Sequence, residues 1–283
     1  MSREVRAIQI AIATSIVGTL AKFTAGVITA NMSMISSGVD SLGDLFVSIA
    51  NLVVVHVSAS EPDDDHNYGH HKIEGLGAMF EGGFVFAAAM FIVYESVHKA
   101  MLGEVSHDSA LGVAVMVPVL ILTFGTVLHL RKVAKETGSL VVKSDAMHYM
   151  TDVWVNVGVL VSLALGWLTG EPLVDTVISI LIALSMIRSS FLIVREGFDV
   201  VMDTSLDVET TGRIRSILDG CDGIRGYHDF RTRGGRVPHV DFHVVVAGET
   251  TTRQVHDLFL VLRDRIQAVV GPATKVLIHA DPE

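Results

Sequence analysis

One cysteine, Cys221, stands in 283 residues. A single thiol excludes an internal disulfide framework and any cysteine-rich zinc site. Charge is scarce as well: Asp, Glu, Lys and Arg make up 18% of the chain against 50% hydrophobic residues. That is too apolar for an ordinary soluble domain, so a membrane protein is the leading class. Basic charge is the scarcer sign. Residues 1–203 hold 11 Lys and Arg against 20 Asp and Glu, and residues 204–283 hold 10 against 11. An acidic first part with no basic patch argues against nucleic acid as a partner. There is no His-Glu-x-x-His metalloprotease pattern and no nucleophile elbow, so an enzyme is not expected. The first apolar stretch is too long for a signal-peptide core, and no small-residue cleavage site follows it. No short-period repeat is present.

What the chain has is long apolar runs. A bilayer core of ~30 Å needs about 20 mostly apolar residues per helix, and six stretches qualify, near 6–30, 34–58, 76–98, 109–130, 144–168 and 173–195. Short links, Asn31-Met32-Ser33 and Thr169-Gly170-Glu171-Pro172, make the first and last pairs antiparallel neighbours. Arg3 and Arg6 before the first span, Arg131, Lys132, Lys135 and Lys143 between the fourth and fifth, and Arg195 after the sixth fall on one side. The other side carries only Lys99 in its links. The positive-inside rule makes the basic side cytoplasmic, with both termini there and the chain in the inner (plasma) membrane.

After about residue 204 the hydrophobic runs shorten and charges alternate. Residues 207–219 read as a helix, 223–233 and 237–247 as strands joined by an Arg233-Gly234-Gly235-Arg236 turn, 250–270 as a helix and 273–280 as a strand. Val255, Leu258, Phe259, Leu262, Ile266 and Val269 give the second helix one apolar face. The expected fold is a membrane all-α domain of six transmembrane helices, residues 1–203, followed by a small cytoplasmic α+β domain of ferredoxin-like αββαβ order, residues 204–283.

Ionisable side chains at bilayer depth cost several kcal/mol and are functional candidates by default. Span two contains Asp40 and Asp44; span five contains His148 and Asp152. Each pair is spaced i, i+4 and lies on one helix face. Two carboxylates on adjacent turns repel unless a cation sits between them. If the faces meet, three carboxylates and one imidazole form a four-donor set suited to a tetrahedral ion such as Zn²⁺, whereas Mg²⁺ prefers octahedral oxygen. The competing readings are a polar clamp between helices and a proton path. Asn51 and Asn156 on the same spans read as interhelical hydrogen bonders. Glu81 in span three reads equally as a path-lining or a bundle-facing residue. Lys22, Glu95, Asp175 and Arg188 are expected to snorkel or pair near span ends.

Two further clusters lie outside the spans. Residues 63–71 carry Asp63, Asp64, Asp65, His66, His70 and His71, ligands for hard or borderline metals or simply a solvated acidic loop. The tail holds five of the 13 histidines, His228, His239, His243, His256 and His279. On the second tail strand His239, Asp241 and His243 share a face opposite Val240, Phe242 and Val244, and on the last strand His279 and Asp281 share one.

These stretches, Val39 to Asp44, Asp63 to Lys72, His148 to Asp152, Gly226 to Arg233 and Leu277 to Pro282, resemble the cation diffusion facilitator family over nearly the whole chain. The likeness is greatest to bacterial zinc and ferrous-iron efflux members. The resemblance implies a homodimer whose six-helix protomers exchange metal for protons, with Asp40, Asp44, His148 and Asp152 as the transport site. It implies a loop site at Asp63, His66 and His70. It implies a cytoplasmic site at His228, His243, His256, His279 and Asp281, where a carboxylate bridges two metals. It also implies that Lys72 pairs with an acid after span six, for which Asp203 is the candidate. His71 and His239 fall outside the pattern. Histidine on span five is similar to zinc- and cadmium-type members, and ligand type favours zinc without excluding Cd²⁺, Fe²⁺, Co²⁺ or Mn²⁺. The expected activity is proton-coupled efflux by alternating access, tuned by metal on the cytoplasmic domain. The rival readings are a membrane-anchored metal sensor, a zinc-dependent membrane enzyme and a cation channel.

Overall fold

A computed structural model of the protein describes residues 2–29, 32–102, 110–169 and 173–283, apart from the side chains at 26, 29, 32–40, 99, 100, 102, 110–112, 159, 162–169 and 173–175. The two expected turns at Asn31 and Gly170–Pro172, and the side chains of Asp40, Lys99 and Asp175, therefore lie outside the described residues. The chain forms two compact units, Met1–Phe198 and Asp199–Glu283.

The first unit is built from six long helices: α1 Arg3–Thr29, α2 Met32–Ser58, α3 Ile73–Leu102, α4 Ala110–Thr137, α5 Leu140–Thr169 and α6 Leu173–Val201. In hydrocarbon no water satisfies backbone N–H and C=O groups, so each apolar run closes its own hydrogen bonds as a helix. Among the described residues, stretches of α1, α2, α3, α4 and α6 are long and apolar enough to cross a bilayer. The remaining long helix, α5, is the one that carries Lys143, Asp145, His148 and Asp152. Large apolar side chains such as Leu20, Phe46, Phe91, Leu181 and Phe191 point outward, as a bundle solvated by lipid requires.

Inside, the bundle closes on small and β-branched residues. Ile8 and Ala11 of α1, Val55 of α2, Val127 and Leu130 of α4, and Val142, Ala146 and Val153 of α5 form one buried cluster. Polar contacts stitch it. The Tyr149 hydroxyl donates to the Ala11 carbonyl at 2.9 Å and meets the Ser15 and Ser48 hydroxyls at 2.5 and 2.9 Å, tying α5 to α1 and α2. Val85 and Ala89 of α3 pack with Met186 of α6 in a second cluster. There the backbones approach closely: a Cβ on Gly197 would stand 2.5 Å from the Gly75 carbonyl oxygen.

One local reading changes and another is narrowed. The expected basic link between spans four and five is helical almost throughout, since only Gly138 and Ser139 separate α4 from α5. Arg, Lys, Ala and Glu are good helix formers, so the helix continues past membrane depth, and Gly138 ends it at φ 70°. Of the two alternatives expected for Lys22, snorkelling or pairing, the structure has the second. Lys22 is 8% exposed, and its ammonium donates to the Ser41 hydroxyl at 3.0 Å.

The second unit runs α7 Val208–Asp219, β1 Gly226–Arg233, β2 His239–Val246, α8 Thr252–Val270 and β3 Lys275–Pro282, an αββαβ domain. Asp207 caps α7, and a Thr251–Gln254 capping box starts α8. The sheet order is β1-β2-β3, antiparallel then parallel across the α8 crossover. Val240, Phe242, Val244 and Val246 face Leu262 and Ile266 of α8 and Ile214 and Leu218 of α7 in the core. The other residues of β2 are thereby left on the open face.

Substituting Gly197 by Ala is expected to force α3 and α6 apart and destabilise the protein by about 1–3 kcal/mol, read as a lower thermal midpoint of the protein in lipid nanodiscs.

Candidate functional site

The i, i+4 spacing on α5 puts His148 and Asp152 on one face, and α2 brings Asp44 to it. The His148 Nε2 lies 3.3 Å from Asp44 Oδ1 and 4.0 Å from Asp152 Oδ2. The imidazole is 3% exposed, and neither ring nitrogen has a hydrogen-bond partner. One donor atom from each of the three residues lies within 4.8 Å of the others. Tetrahedral Zn²⁺ with bonds of 2.0–2.2 Å holds its donors about 3.3 Å apart, so modest side-chain rotation completes the set. A buried imidazole with unused nitrogens next to two partly exposed carboxylates is suited to a cation. Asp40 lies one turn before Asp44 on α2, but its side chain is outside the described residues.

The surroundings hold residues that spacing alone did not single out. Asp145, fully buried one turn before His148, accepts from Asn51 at 3.1 Å. Asn51 thus bridges α2 and α5 as expected, whereas Asn156 turns back to its own helix and donates to the Asp152 carbonyl at 2.7 Å. Glu74 of α3 accepts from the Leu140 N–H at 2.8 Å and from the Ser139 and Ser58 hydroxyls at 3.1 and 2.8 Å. It therefore caps the helix that carries His148. No sequence pattern marks that cap, because donor and acceptor lie 66 residues apart.

In the loop before α3, Asp63 gathers the two expected histidines. Its Oδ1 accepts from the His66 N–H at 2.6 Å and lies 3.2 Å from His66 Nδ1, and its Oδ2 lies 3.3 Å from His70 Nε2. The His66 N–H holds the Asp63 carboxyl below the ordinary carboxylate range. His71 is not drawn into the group; its Nδ1 is buried without a partner.

The tail cluster is a product of strand register. His228 on β1 opposes His243 on β2, which opposes His279 on β3, so three imidazoles stand in one row across the sheet. Neighbouring ring centroids are 5.0 and 4.7 Å apart. Asp281 reaches all three: its Oδ2 lies 3.1 Å from His228 Nε2 and 3.0 Å from His243 Nδ1, and its Oδ1 lies 3.4 Å from His279 Nε2. A bulge at Asp229, φ 49°, interrupts the pairing just after His228, and it resumes at Arg231 opposite Asp241. The donors are borderline imidazole nitrogens and one two-faced carboxylate, a set that fits zinc or a similar ion. His256 is not brought into the row. It sits exposed on α8, whose other face covers the sheet. His239 is tied to the Val237 carbonyl at 2.9 Å.

Two family profiles match this chain: one described as the cation efflux transmembrane domain over residues 8–202, the other as the cation efflux protein cytoplasmic domain over residues 206–283. Similar proteins include the cation-efflux pump FieF of Cronobacter sakazakii, 31% identical over 96% of this chain and 91% of the relative. The cation-efflux pump FieF of Shewanella oneidensis is 29% identical over 96% and 91%. Protein p34 of Rickettsia prowazekii is 28% identical over 96% and 90%.

The hydrogen bond with His243, with the nearby imidazoles adding to it, holds the Asp281 carboxyl below its ordinary value of 3.8. A carboxyl lowered on folding contributes stability that is present above that ordinary value and is lost as pH falls through the folded one. Replacing His243 by Ala is expected to move the Asp281 titration upward, measured by carboxyl-carbon NMR of aspartate-labelled full-length protein.

Proposed function

The chain belongs to the cation efflux, or cation diffusion facilitator, family, and on that premise we propose that it exports a divalent transition-metal ion, zinc first, in exchange for protons. It is a multi-pass membrane transporter rather than an enzyme. The observation that carries the substrate assignment is the meeting of Asp44, His148 and Asp152 within the helical bundle. Oxygen and nitrogen donors within 4.8 Å of one another, with no thiolate, favour zinc over magnesium. We place Asp40 in the same site by its position one turn away on α2.

In the proposed cycle the inward-open carrier takes a zinc ion between α2 and α5. Metal donors must be deprotonated, so loading releases protons. The bundle then reorients, protons displace the ion on the far side, and the protonated carrier returns. His148 supplies the imidazole whose charge change suits that exchange. The basic ends of α4 and α5 support a cytoplasmic placement of both termini and of the tail domain. There His228, His243, His279 and Asp281, and Asp63, His66 and His70 in the loop, are proposed to hold resident metal. Bound ions would cross-link the three strands and neutralise the Asp281 charge. The cytoplasmic-domain match supports a homodimer, and we propose that metal on this domain biases the arrangement of its two copies. His256, exposed on α8, is proposed to complete that site.

Zinc uptake into proteoliposomes under an imposed pH gradient tests the reading. Wild-type protein is expected to move zinc with counter-movement of protons, and Asp44→Ala or His148→Ala to slow it at least about tenfold. Wild-type rates in either variant would sink the site assignment; zinc flux without proton movement would point to a channel.

A further inference from the structure

Glu81 lies on α3, outside the ligand set, and is 0% exposed. Its Oε2 contacts the Ser144 hydroxyl of α5, while its Oε1 is buried with no hydrogen-bond partner. The Ser144 oxygen is also 3.0 Å from the Val141 carbonyl. A hydroxyl has one hydrogen and a carbonyl can only accept. If the Ser144 hydroxyl gives its hydrogen to Val141, the contact with Glu81 is a full hydrogen bond when the Glu81 carboxyl carries a proton and donates it to the Ser144 oxygen. Glu74, two turns earlier on the same helix, is the contrast: three donors from Ser58, Ser139 and Leu140 surround it, as suits a buried carboxylate.

The charges facing Glu81 deepen the difference. From α5 come Asp145, also fully buried with its Oδ2 bare, and His148. From α2 comes the uncharged Asn51, whose amide donates to Asp145. From α6, Ser190 and Val194 pack against the neighbouring Gly82. No Lys or Arg stands among these neighbours. His148 is the one group among them that can carry positive charge, and two buried carboxylates sharing a single imidazole would still cost several kcal/mol unless one holds a proton.

We propose that Glu81 is a proton-carrying residue of the transport cycle, separate from the metal ligands, which holds a proton in the metal-free carrier and releases it as the ion binds. This rests on the reading of Asp44, His148 and Asp152 as the transport site. The link is geometric. Ser144 and His148 are spaced i, i+4 on one face of α5, and Phe84, three residues after Glu81, meets the His148 ring edge-on at 6.0 Å. A divalent ion beside His148 places positive charge next to Glu81 and favours its carboxylate form. One proton passes from the Glu81 carboxyl to water on the open side as one ion arrives, and one returns when the ion leaves.

Calorimetry of zinc binding to the full-length protein in nanodiscs, run in buffers of different ionisation enthalpy, counts protons released per ion. Glu81→Gln keeps the shape and a donor for Ser144. It is expected to bind as many zinc ions as wild type and to release about one proton fewer per protomer. An unchanged proton count overturns the proposal. A second readout needs no variant: infrared spectra of wild-type protein with isotope-labelled glutamate should show a protonated glutamate carboxyl that disappears on adding zinc, and its absence before zinc overturns the proposal as well. If wild-type vesicles carry no zinc, the transport reading falls and takes this inference with it. If they carry zinc while the proton count is unaltered by Glu81→Gln, only this inference falls.

Discussion

The cost of an ionisable group in hydrocarbon organises the first unit. Each charged side chain buried in the bundle needs a donor, a proton or a counter-ion. Glu74 has donors, from Ser58, Ser139 and Leu140. Lys22 has an acceptor in Ser41. Asp145 has half of what it needs, from Asn51. His148 has nothing on either nitrogen except two carboxylates within 4.0 Å. Hydrogen-bond supply thus falls from Glu74 towards His148, from groups that hold the bundle together to one whose ring nitrogens have no hydrogen-bond partner. The same helix, α5, receives the cap from Glu74 at its start and presents His148 two turns later, so the buried acid fixes the start of the helix that carries the imidazole.

The second unit solves a different problem with the same residue types. Its clustered histidines and Asp281 are exposed or half-buried, and solvent bears their charge. What it must supply is spacing, and the sheet supplies it. Strands 4.7–4.9 Å apart put one imidazole per strand in a row, and Asp281, two residues beyond His279, turns back along it. The alternation that buries Val240, Phe242 and Val244 under α8 is what frees His243 on the other face. Losing the register by one residue would bury the histidine and expose the core.

This contrast explains what could be read from the sequence. The α5 pair and its partner on α2 were legible because helical spacing is local: four residues apart means one face, whatever surrounds it. The face of His243 was legible for the same reason in a strand. The row was not, since the facing of His228, His243 and His279 depends on register and on a bulge at Asp229 that no short pattern announces. The cap of α5 by Glu74, the burial of Lys22 and the contact of Glu81 with Ser144 join residues far apart in the chain. Hydropathy located membrane depth but not helix ends, so cations at Arg131, Lys132, Lys135 and Lys143 read as a loop when they extend two helices.

A carrier must hold its ion and then let it go, and in the site proposed above the donors are divided between two helices. His148 and Asp152 share α5, so their separation is set by one helix and changes only by side-chain rotation. Asp44 belongs to α2, so its 3.3 Å approach to His148 changes whenever α2 moves against α5. A shift of an ångström or two there would withdraw the α2 carboxylates of the proposed site while leaving His148 and Asp152 in place. Tetrahedral coordination tolerates little such change, and an ion left with two protein ligands and water would be more readily displaced by protons than one with four. The weak point of the site therefore lies across the α2–α5 boundary, where Asn51, Ser48 and Tyr149 also bridge the two helices, and those polar bridges limit how far the ligands can part.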